Sequence, residues 1–367
     1  MRGTNLVIAD KDIEYIELFK RYVRETEYEK KFTIKSFSTK ENVEQYLLNQ
    51  SNIEIILIDI QLLSDNLALN NVKTIILLSE KDRIDKEWQY PVVYKYQPLN
   101  RLISQVLGLF LETKEENKKI NNDYKTKVLS IYSATGGSGK TTLAVNTAKR
   151  LSLKGNKVFY LTLGLITSVE VFFPSSGTYD FSKILYYLKN NNNQVVSKIE
   201  MLKKYDVETK VDYLESFVNA EEIFDLTIED VKLLIESIKL LEIYNYIIID
   251  LEVSLHEYVI GALKESEYII WLILDDIQSI EKTKVTMNIL ENFLNENYET
   301  LAEKIVFIHN KKLGTDMQNN FSGTGIDLFG YLPYIPEWKI ITSKNQLLTN
   351  NLFNSKIDDL LISVIND

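Results

Sequence analysis

The chain has 367 residues and contains no cysteine, two histidines and five prolines. The lack of cysteine excludes disulfides and thiolate zinc sites. With two histidines, a histidine-rich metal cluster and a Ser-His-Asp hydrolase are both disfavoured. No apolar run approaches the roughly 18 residues that span a bilayer, and residues 1–10 lack the apolar core of a signal peptide. The sequence therefore predicts a cytoplasmic protein without direct membrane insertion.

Basic residues are also in the minority, with 42 Lys and Arg against 52 Asp and Glu and a formal net charge of −10. Non-specific affinity for nucleic acid depends on neutralising phosphates, so this acidic balance argues against a nucleic-acid partner. A hydrophobic fraction of 45% supports packed cores rather than disorder. The chain is also long enough for two domains.

The order of apolar runs predicts two doubly wound α/β domains. Residues 1–111 alternate helical periodicity with five strand-like runs, which predicts a flavodoxin-like domain with a parallel sheet; these runs are 5–9, 32–37, 53–60, 74–78 and 92–94. Residues 112–127 are almost without apolar side chains and predict a charged linker or a solvated helical extension. Residues 128–367 predict a second α/β domain with strands at 128–133, 157–163, 211–215, 246–250, 268–274, 304–310 and 328–332.

A glycine-rich run, S-A-T-G-G-S-G-K-T-T, follows the first strand of the second domain at positions 133–142. A strand, a glycine-rich turn and a helix in this order are typical of nucleotide phosphate sites, because successive N–H groups converge on one anion at a helix N-terminus. The lysine adds a charge on the phosphates, and the following hydroxyl can coordinate Mg²⁺. The run predicts a site for ATP and Mg²⁺ formed by Gly136, Gly137, Ser138, Gly139, Lys140, Thr141 and Thr142.

The run departs from a standard Walker A motif, since Ala134 stands where that motif has glycine. It resembles the deviant loop of the MinD/ParA superfamily, with Gly136–Gly137, Lys140 and Thr141 in register. The resemblance implies a P-loop fold and a homodimer closed over two nucleotides. That family places a signature lysine before the glycine pair, which reaches the partner's phosphates, and this chain has Thr135 there.

An apolar run that ends in Asp250 has the Walker B pattern, and the aspartate is expected to hold Mg²⁺ together with Thr141. Glu252 lies two residues on, where it either positions water or caps a turn. In the switch segment that the MinD/ParA resemblance implies, Tyr160 and Thr162 stand in place of two aspartates. A hydroxyl cannot replace a carboxylate that activates water, so weak or absent hydrolysis is predicted and no catalytic residue is assigned.

The base-binding and C-terminal segments also follow the superfamily. The resemblance implies that Asn310 reads adenine, with an ordinary turn asparagine as the alternative, and that Pro333 and Tyr334 pack beside the base. The apolar residues 357, 360, 361 and 364 form one helical face, and the opposite face is acidic. Anionic lipid would repel that face, which favours a core-packing helix.

Residues 1–111 resemble a response-regulator receiver domain, a family that accepts phosphate on an aspartate at the end of the third strand. Asp59 and Ser79 match the phosphate-accepting and switch positions. The acid pair of the family is here Ala9–Asp10, and Gln97 stands in place of its lysine, with Lys95 expected on the opposite strand face. These departures favour a pseudo-receiver that serves docking or dimerisation over a domain phosphorylated at Asp59.

The pairing of the two domains resembles the TadZ/CpaE family of pilus assembly proteins. Local similarity includes Ser176–Gly177 and residues 181–187. The resemblance implies a localisation and assembly factor for a tight-adherence, type IV-like pilus secretion machine. It further implies an ATP-bound homodimer that acts as a scaffold, and concentration at a cell pole or the inner membrane through its partners.

Two other functions remain open at this point. One is an active MinD/ParA-type ATPase that positions a different cargo. The other is a receiver-regulated signalling or transcription protein, which would need a standard Walker A motif and a DNA-binding tail that this sequence lacks.

Overall fold

A computed structural model of the chain describes residues 4–50, 52–64, 67–81, 88–115, 125–173, 180–190, 194–215, 220–313, 321 and 323–365. The chain folds into two compact units. The first unit comprises Met1–Ile120 and Val196–Met201, and the second comprises Asn121–Val195 and Leu202–Asp367. Residues 196–201 thus group with the first unit, whereas the predicted boundary assigns them to the second domain. Residues 116–124 of the predicted linker and Ser176–Gly177 lie outside the described residues.

The first unit is built on a parallel sheet in the order β2-β1-β3-β4-β5. Its strands are β1 Thr4–Ala9, β2 Phe32–Phe37, β3 Ile53–Asp59, β4 Val72–Ser79 and β5 Val92–Tyr94, and its helices are α1 Ile13–Glu25, α2 Lys40–Asn49 and α3 Leu99–Glu115. The central strand β3 is buried on both faces because it has an apolar residue at nearly every position. The strand order is the flavodoxin-like one, so the predicted fold is confirmed.

The second unit contains a larger sheet in the order β13-β12-β11-β6-β10-β7-β9-β8, in which β8 is antiparallel to β9 and the other neighbours are parallel. The strands are β6 Lys127–Tyr132, β7 Val158–Leu163, β8 Lys204–Asp206, β9 Val211–Tyr213, β10 Tyr246–Leu251, β11 Tyr268–Ile273, β12 Ile305–Lys312 and β13 Leu328–Pro333. Seven of these correspond to predicted strands, and the sequence pattern missed the short β8. The predicted fold class is confirmed here as well.

Ten helices lie between residues 140 and 365 of the described ranges. They are α4 Lys140–Leu153, α5 Asp180–Asn190, α6 Val195–Leu202, α7 Ala220–Phe224, α8 Ile228–Leu240, α9 Glu257–Glu265, α10 Ile277–Leu294, α11 Tyr298–Ala302, α12 Lys344–Leu348 and α13 Asn351–Ile365; residues 196–201 of α6 group with the first unit. Thr227 caps α8 through a capping box with Asp230. Within the described ranges, every helix is too short or too polar to cross a membrane.

The C-terminal helix α13 is part of the core, as its apolar periodicity predicts. Its buried residues are Phe353, Ile357, Leu360, Leu361, Val364 and Ile365. On its outer side, Asp358 pairs with Arg150 and, at 2.9 Å, with Lys154, both from the end of α4. These contacts fasten α13 to the helix that follows the glycine-rich loop.

Candidate functional site

The glycine-rich loop connects the carboxyl end of β6 to the N-terminus of α4. Two of its glycines have positive φ angles, 68° at Gly137 and 97° at Gly139, a region that side-chain-bearing residues rarely adopt. A Cβ atom on Gly139 would also lie 2.5 Å from the Nδ2 atom of Asn310. The loop therefore needs glycine at 139 both for its backbone angle and for the space that Asn310 occupies.

The end of β12 holds this loop through two side chains. Asn310 donates a hydrogen bond from Nδ2 to the carbonyl oxygen of Ser138 at 2.6 Å. Lys311 donates one from Nζ to the carbonyl oxygen of Gly137 at 2.7 Å. The amide of Asn310, expected to face the base, thus contacts the backbone of the loop and is buried.

A cavity of about 530 Å³ lies at the carboxyl ends of the strands, large enough for a nucleotide-sized ligand. It brings together residues that the sequence placed at a nucleotide site, from the loop and from the ends of β12 and β13. They are Gly137, Ser138, Gly139, Lys140, Thr141, Thr142, Asn310, Pro333 and Tyr334. Gly136 belongs to the same loop without lining the cavity, and Asp250 lies at the end of β10, the neighbour of β6.

Asp250 is a buried carboxylate close to the start of α4. Burial raises its pKa to about 6, although hydrogen bonds from Thr141 and Tyr160 and the charge of Lys140 oppose this shift. Its Oδ2 atom accepts a hydrogen bond from the Tyr160 hydroxyl at 3.0 Å. Among the described residues, its Oδ1 atom has no hydrogen-bond partner.

A buried carboxylate oxygen without a partner is unfavourable unless a cation neutralises it. Mg²⁺ prefers hard oxygen ligands such as a carboxylate and a hydroxyl. Asp250 and Thr141 supply this donor set beside the phosphate loop, and the unpartnered Oδ1 atom gives the ion a ligand position. The residues present therefore fit Mg²⁺, which would be held by Asp250 and Thr141.

Lys140 begins α4 and lines the cavity. Burial lowers the pKa of its ammonium group, and the nearby charges of Asp250 and Glu252 act in the opposite direction. A cation in such a partly dehydrated place interacts more strongly with a phosphate than a surface lysine does. Lys140 is thus positioned to bind a polyphosphate.

Glu252 fastens the segment that follows β7. Its Oε2 atom accepts a hydrogen bond from the backbone N–H of Leu165 at 2.8 Å. Its Oε1 atom accepts one from the hydroxyl of Tyr258. Of the two roles that the sequence left open for Glu252, these contacts favour that of a structural cap.

Uncharged side chains occupy the three positions that the sequence resemblance compares with two aspartates and a lysine, namely Tyr160, Thr162 and Thr135. Tyr160 is completely buried and donates its hydroxyl to Asp250. Thr162 is buried and is the β7 neighbour of Asp250 in the sheet. The hydroxyl of Thr135 lies 3.3 Å from that of Ser279 at the start of α10. All three side chains are uncharged, and the hydroxyls of Tyr160 and Thr135 contact other side chains of the second unit.

In the first unit, the sequence prediction for Lys95 is wrong. Lys95 is almost completely buried, with its Nζ atom 3.2 Å from Asp10, 3.5 Å from Asp59 and 3.0 Å from Glu80. The expected opposite face misapplied strand alternation, because residues two positions apart, such as Lys95 and Gln97, share one face of a strand. In addition, β5 ends at Tyr94, so alternation does not extend to position 95. A lysine therefore does lie among the acids.

The other residues predicted for the first unit do not all lie at the acidic cluster. Ser79 ends β4, and its hydroxyl donates to the carbonyl of Lys81 at 2.9 Å. Gln97 does not join the acids, because its side-chain amide donates to Tyr94 O at 2.8 Å and to Gln105 Oε1 at 2.9 Å. Burial raises the pKa of Asp10, although a backbone hydrogen bond and Lys95 act against this. The cluster at the strand ends thus consists of Asp10, Asp59, Glu80 and Lys95.

Sequence reasoning missed several residues that line the cavity, among them Ser168, Lys311, Trp338 and Lys339. Lys311 directly follows Asn310, so a basic residue after the strand-terminal asparagine was an available signal. Trp338 follows the predicted Pro333–Tyr334 pair by one turn and packs on Phe353 with ring centroids 4.7 Å apart. Trp338 lines the cavity because it packs on α13, and the local sequence does not reveal that packing.

Comparison with known sequences gives two findings. Residues 126–305 match the family model of an AAA domain. An uncharacterized protein of Methanocaldococcus jannaschii is 29% identical over 196 residues, which make up 50% of this chain and 73% of that protein.

Similar solved structures include a ParA family ATPase from Chlorobium tepidum, with a TM-score of 0.52, 18% identity, and coverage of 65% of this chain and 98% of that one. A Borrelia burgdorferi protein described as a plasmid partition protein, bound to AMPPNP, has a TM-score of 0.47, 20% identity, and coverage of 66% and 99%. The MinC:MinD cell division complex of Aquifex aeolicus gives 0.49, 16% identity, and coverage of 66% and 96%. Residues 126–305 are thus similar to an AAA domain, and the second unit has the same fold as a ParA family ATPase.

Proposed function

We propose that the protein is an ATP-binding assembly factor whose nucleotide-bound dimer acts as a scaffold and hydrolyses ATP slowly or not at all. The observation that carries this proposal is the unpartnered Oδ1 atom of buried Asp250, beside a glycine-rich loop that leads into the half-buried Lys140. The loop amides and Lys140 bind the phosphates, and Asp250 with Thr141 binds Mg²⁺. When bound, the ion would neutralise the phosphates and the carboxylate.

Slow hydrolysis follows from what the side chains near the phosphates can do. An attacking water must transfer its proton to an acceptor or be oriented by one. Thr162 offers a hydroxyl where the related segment has an aspartate, and Glu252 already accepts two hydrogen bonds from the protein. Thr135 supplies no charge for the nucleotide of a partner. ATP then acts as a ligand that stabilises one assembly state.

The occupant of the face around the cavity is a second copy of the chain. Large apolar side chains are exposed after the carboxyl ends of β7, β10, β11 and β12, namely Ile166 at 90%, Val253 at 43%, Ile277 at 77% and Leu313 at 69%. Because the carboxyl ends of parallel strands meet at one edge of the sheet, these side chains lie at the same edge as the cavity. Exposed apolar rims of this kind are typical of association surfaces.

The components that the dimer recruits are those of a tight-adherence pilus secretion machine, concentrated at a cell pole. This finer part of the proposal depends on the pairing of a receiver-like unit with a ParA-like unit. The first unit would act as a pseudo-receiver for docking, because Ala9 stands where the receiver family has one acid of its pair. Lys95 lies beside Asp10 and Asp59, so of the two departures in the sequence only the missing acid remains.

Light scattering of the full chain with and without ATP·Mg²⁺ tests the proposal. We expect ATP to double the mass of the wild type. Lys140→Ala should stay monomeric, because loss of a charged hydrogen-bond donor weakens ATP binding roughly 10- to 100-fold. Lys232→Ala, on the exposed face of α8, is the matched control and should behave as wild type.

Two results would contradict the proposal. If the measured molecular mass changed neither with ATP nor with the Lys140→Ala substitution, the nucleotide-dependent dimer would be refuted. Rapid release of phosphate, at a rate raised by a partner, would favour an active ATPase that positions other cargo.

A further inference from the structure

Two neighbouring carbonyl groups of the glycine-rich loop are bound by two consecutive residues at the end of β12. The Gly137 carbonyl accepts from Lys311 Nζ at 2.7 Å, and the Ser138 carbonyl accepts from Asn310 Nδ2 at 2.6 Å. The two contacts join segments about 170 residues apart in the chain, separated by 174 and 172 positions. They fix the orientation of two successive peptide planes.

A trans peptide places its C=O and N–H on opposite sides of the C–N bond. When the Gly137 carbonyl points towards Lys311, the N–H of Ser138 points the other way. The same argument turns the N–H of Gly139 away from Asn310. Successive N–H groups directed to one side form the concave nest that binds an oxyanion. The two side chains therefore determine where the loop amides point.

Two backbone features agree with these hydrogen bonds. Lys311 has a φ angle of 58°, which is uncommon for a residue with a side chain. Such a conformation persists when surrounding contacts over-determine it. At position 139, the missing Cβ leaves the space that the Asn310 amide fills, since a Cβ there would lie 2.5 Å from Nδ2. The strand end and the loop are thus fitted to each other.

We propose that Asn310 and Lys311 form a strand-end clamp that orients the Ser138 and Gly139 amides towards a polyphosphate before it binds. The inference rests on the proposed function and deepens it by naming what preorganises the phosphate site. Donors that are already oriented bind an anion without a further loss of loop entropy. Asn310 and Lys311 are therefore positioning residues. They affect the affinity for the polyphosphate of a nucleoside triphosphate.

Two simpler roles make different predictions. If Asn310 only recognises the base, its loss affects ATP and leaves a base-free polyphosphate unchanged. If Lys311 only adds positive charge to the cavity, then Lys339 is equivalent to it, because Lys339 is also an exposed lysine that lines the cavity.

The test is displacement of a fluorescent ATP analogue from the full chain by ATP and by inorganic tripolyphosphate, both with Mg²⁺. Asn310→Ala and Lys311→Met should each weaken both competitors about tenfold, the loss expected for one strong hydrogen bond. Lys339→Met is the matched control and should change either affinity less than about twofold. Lys311→Arg should recover most of the affinity, because it keeps the donor. Thermal melting checks that each variant is folded.

Several outcomes would overturn the clamp while leaving nucleotide binding in place. One is an Asn310→Ala variant that loses ATP affinity and keeps tripolyphosphate affinity. Another is an equal effect of Lys311→Met and Lys339→Met. A third is a wild type that binds ATP but from which tripolyphosphate displaces nothing, since a preformed nest must bind phosphates without the base. A wild type that binds no nucleotide would instead refute the proposed function itself.

Discussion

Asp250 must lie beside the phosphate loop, but this position buries its carboxylate. Its place at the end of a buried strand gives it access to the phosphate loop, and the same burial raises the pKa of the carboxyl group to about 6. The Tyr160 hydroxyl satisfies one oxygen, and a bound cation would satisfy the other. In the absence of a cation, the ionised carboxylate therefore destabilises the folded protein.

This conflict predicts how stability depends on pH. Asp250 ionises near 3.8 in the unfolded chain and near 6 in the folded protein, so the folded state holds the proton more tightly. The stabilisation is present below about pH 4 and is lost as the pH rises through about 6, an effect of roughly 3 kcal/mol. Asp250→Asn should match wild type at pH 4 and exceed its free energy of unfolding at pH 7.

Urea unfolding of both proteins at the two pH values, without nucleotide, measures this difference. The order should reverse in the presence of ATP·Mg²⁺, because the variant lacks the carboxylate that binds the ion. A wild type whose stability relative to Asp250→Asn does not change between the two pH values would refute the raised pKa.

The sequence predicted Asp250 and Thr141 as a pair because their motifs are local and each is defined by a few adjacent residues. It did not predict the hydrogen bond from Tyr160, which lies 90 positions from Asp250. The contact arises because β7 and β10 are neighbours in the sheet. Strand order decides such pairs, and a local pattern does not contain it.

At the scale of secondary structure elements, the strand ends of the first unit form a compact ionic cluster. Asp10, Asp59 and Lys95 come from the ends of β1, β3 and β5, and the lysine is almost completely buried among the acids. Burial disfavours the charge of Lys95, but hydrogen bonds and charges from Glu80 and Asp10 raise its pKa. The cluster therefore depends on a charged lysine.

Lys95→Met should destabilise the first unit by about 3 kcal/mol at pH 7, because it leaves buried carboxylates without a counter-ion. Hydrogen exchange of the full chain, read on peptides of residues 1–110, measures the change. The matched control is Lys73→Met, which breaks an exposed ion pair with Glu54 and should cost less than about 1 kcal/mol. The double variant Lys95→Met with Asp10→Asn should recover part of the loss. If Lys95→Met and Lys73→Met lowered the stability of the first unit equally, the buried ion pairs of Lys95 would stabilise it no more than an exposed ion pair does.

Most of the elements themselves were predictable. Apolar runs gave the five strands of the first sheet. The short edge strand β8 was missed because it lacks an apolar run, with Lys204, Tyr205 and Asp206. The position of Lys95 was missed because residues two positions apart were assigned to opposite strand faces, whereas they share one face, and because β5 ends before position 95.

At the scale of the whole molecule, the proposed dimer joins the nucleotide site to an exposed apolar rim. Ile277 lies on this rim at the start of α10 and is 77% exposed, whereas Ile362 on α13 is 56% exposed and lies away from the strand ends. The two isoleucines thus form a matched pair, with one inside and one outside the proposed contact.

Ile277→Asp should abolish the ATP-dependent doubling of mass, because two carboxylates would be buried in the contact. ATP affinity should stay within about twofold of wild type, since the side chain does not line the cavity. Ile362→Asp should dimerise normally. Sedimentation velocity with ATP·Mg²⁺, combined with a nucleotide titration, measures both quantities. A dimer that tolerates Ile277→Asp would place the association surface elsewhere.

The sequence by itself determined the strands, the glycine-rich loop, Lys140, Thr141 and the carboxylate at the end of β10. These features follow from short-range patterns, because backbone conformation and burial periodicity are set by neighbouring residues. The tertiary structure alone decided which distant side chains meet. Lys95 reaches Asp10 across 85 positions, and Asn310 reaches the loop across 172. Such contacts depend on strand order and on where each strand ends, which no single segment encodes.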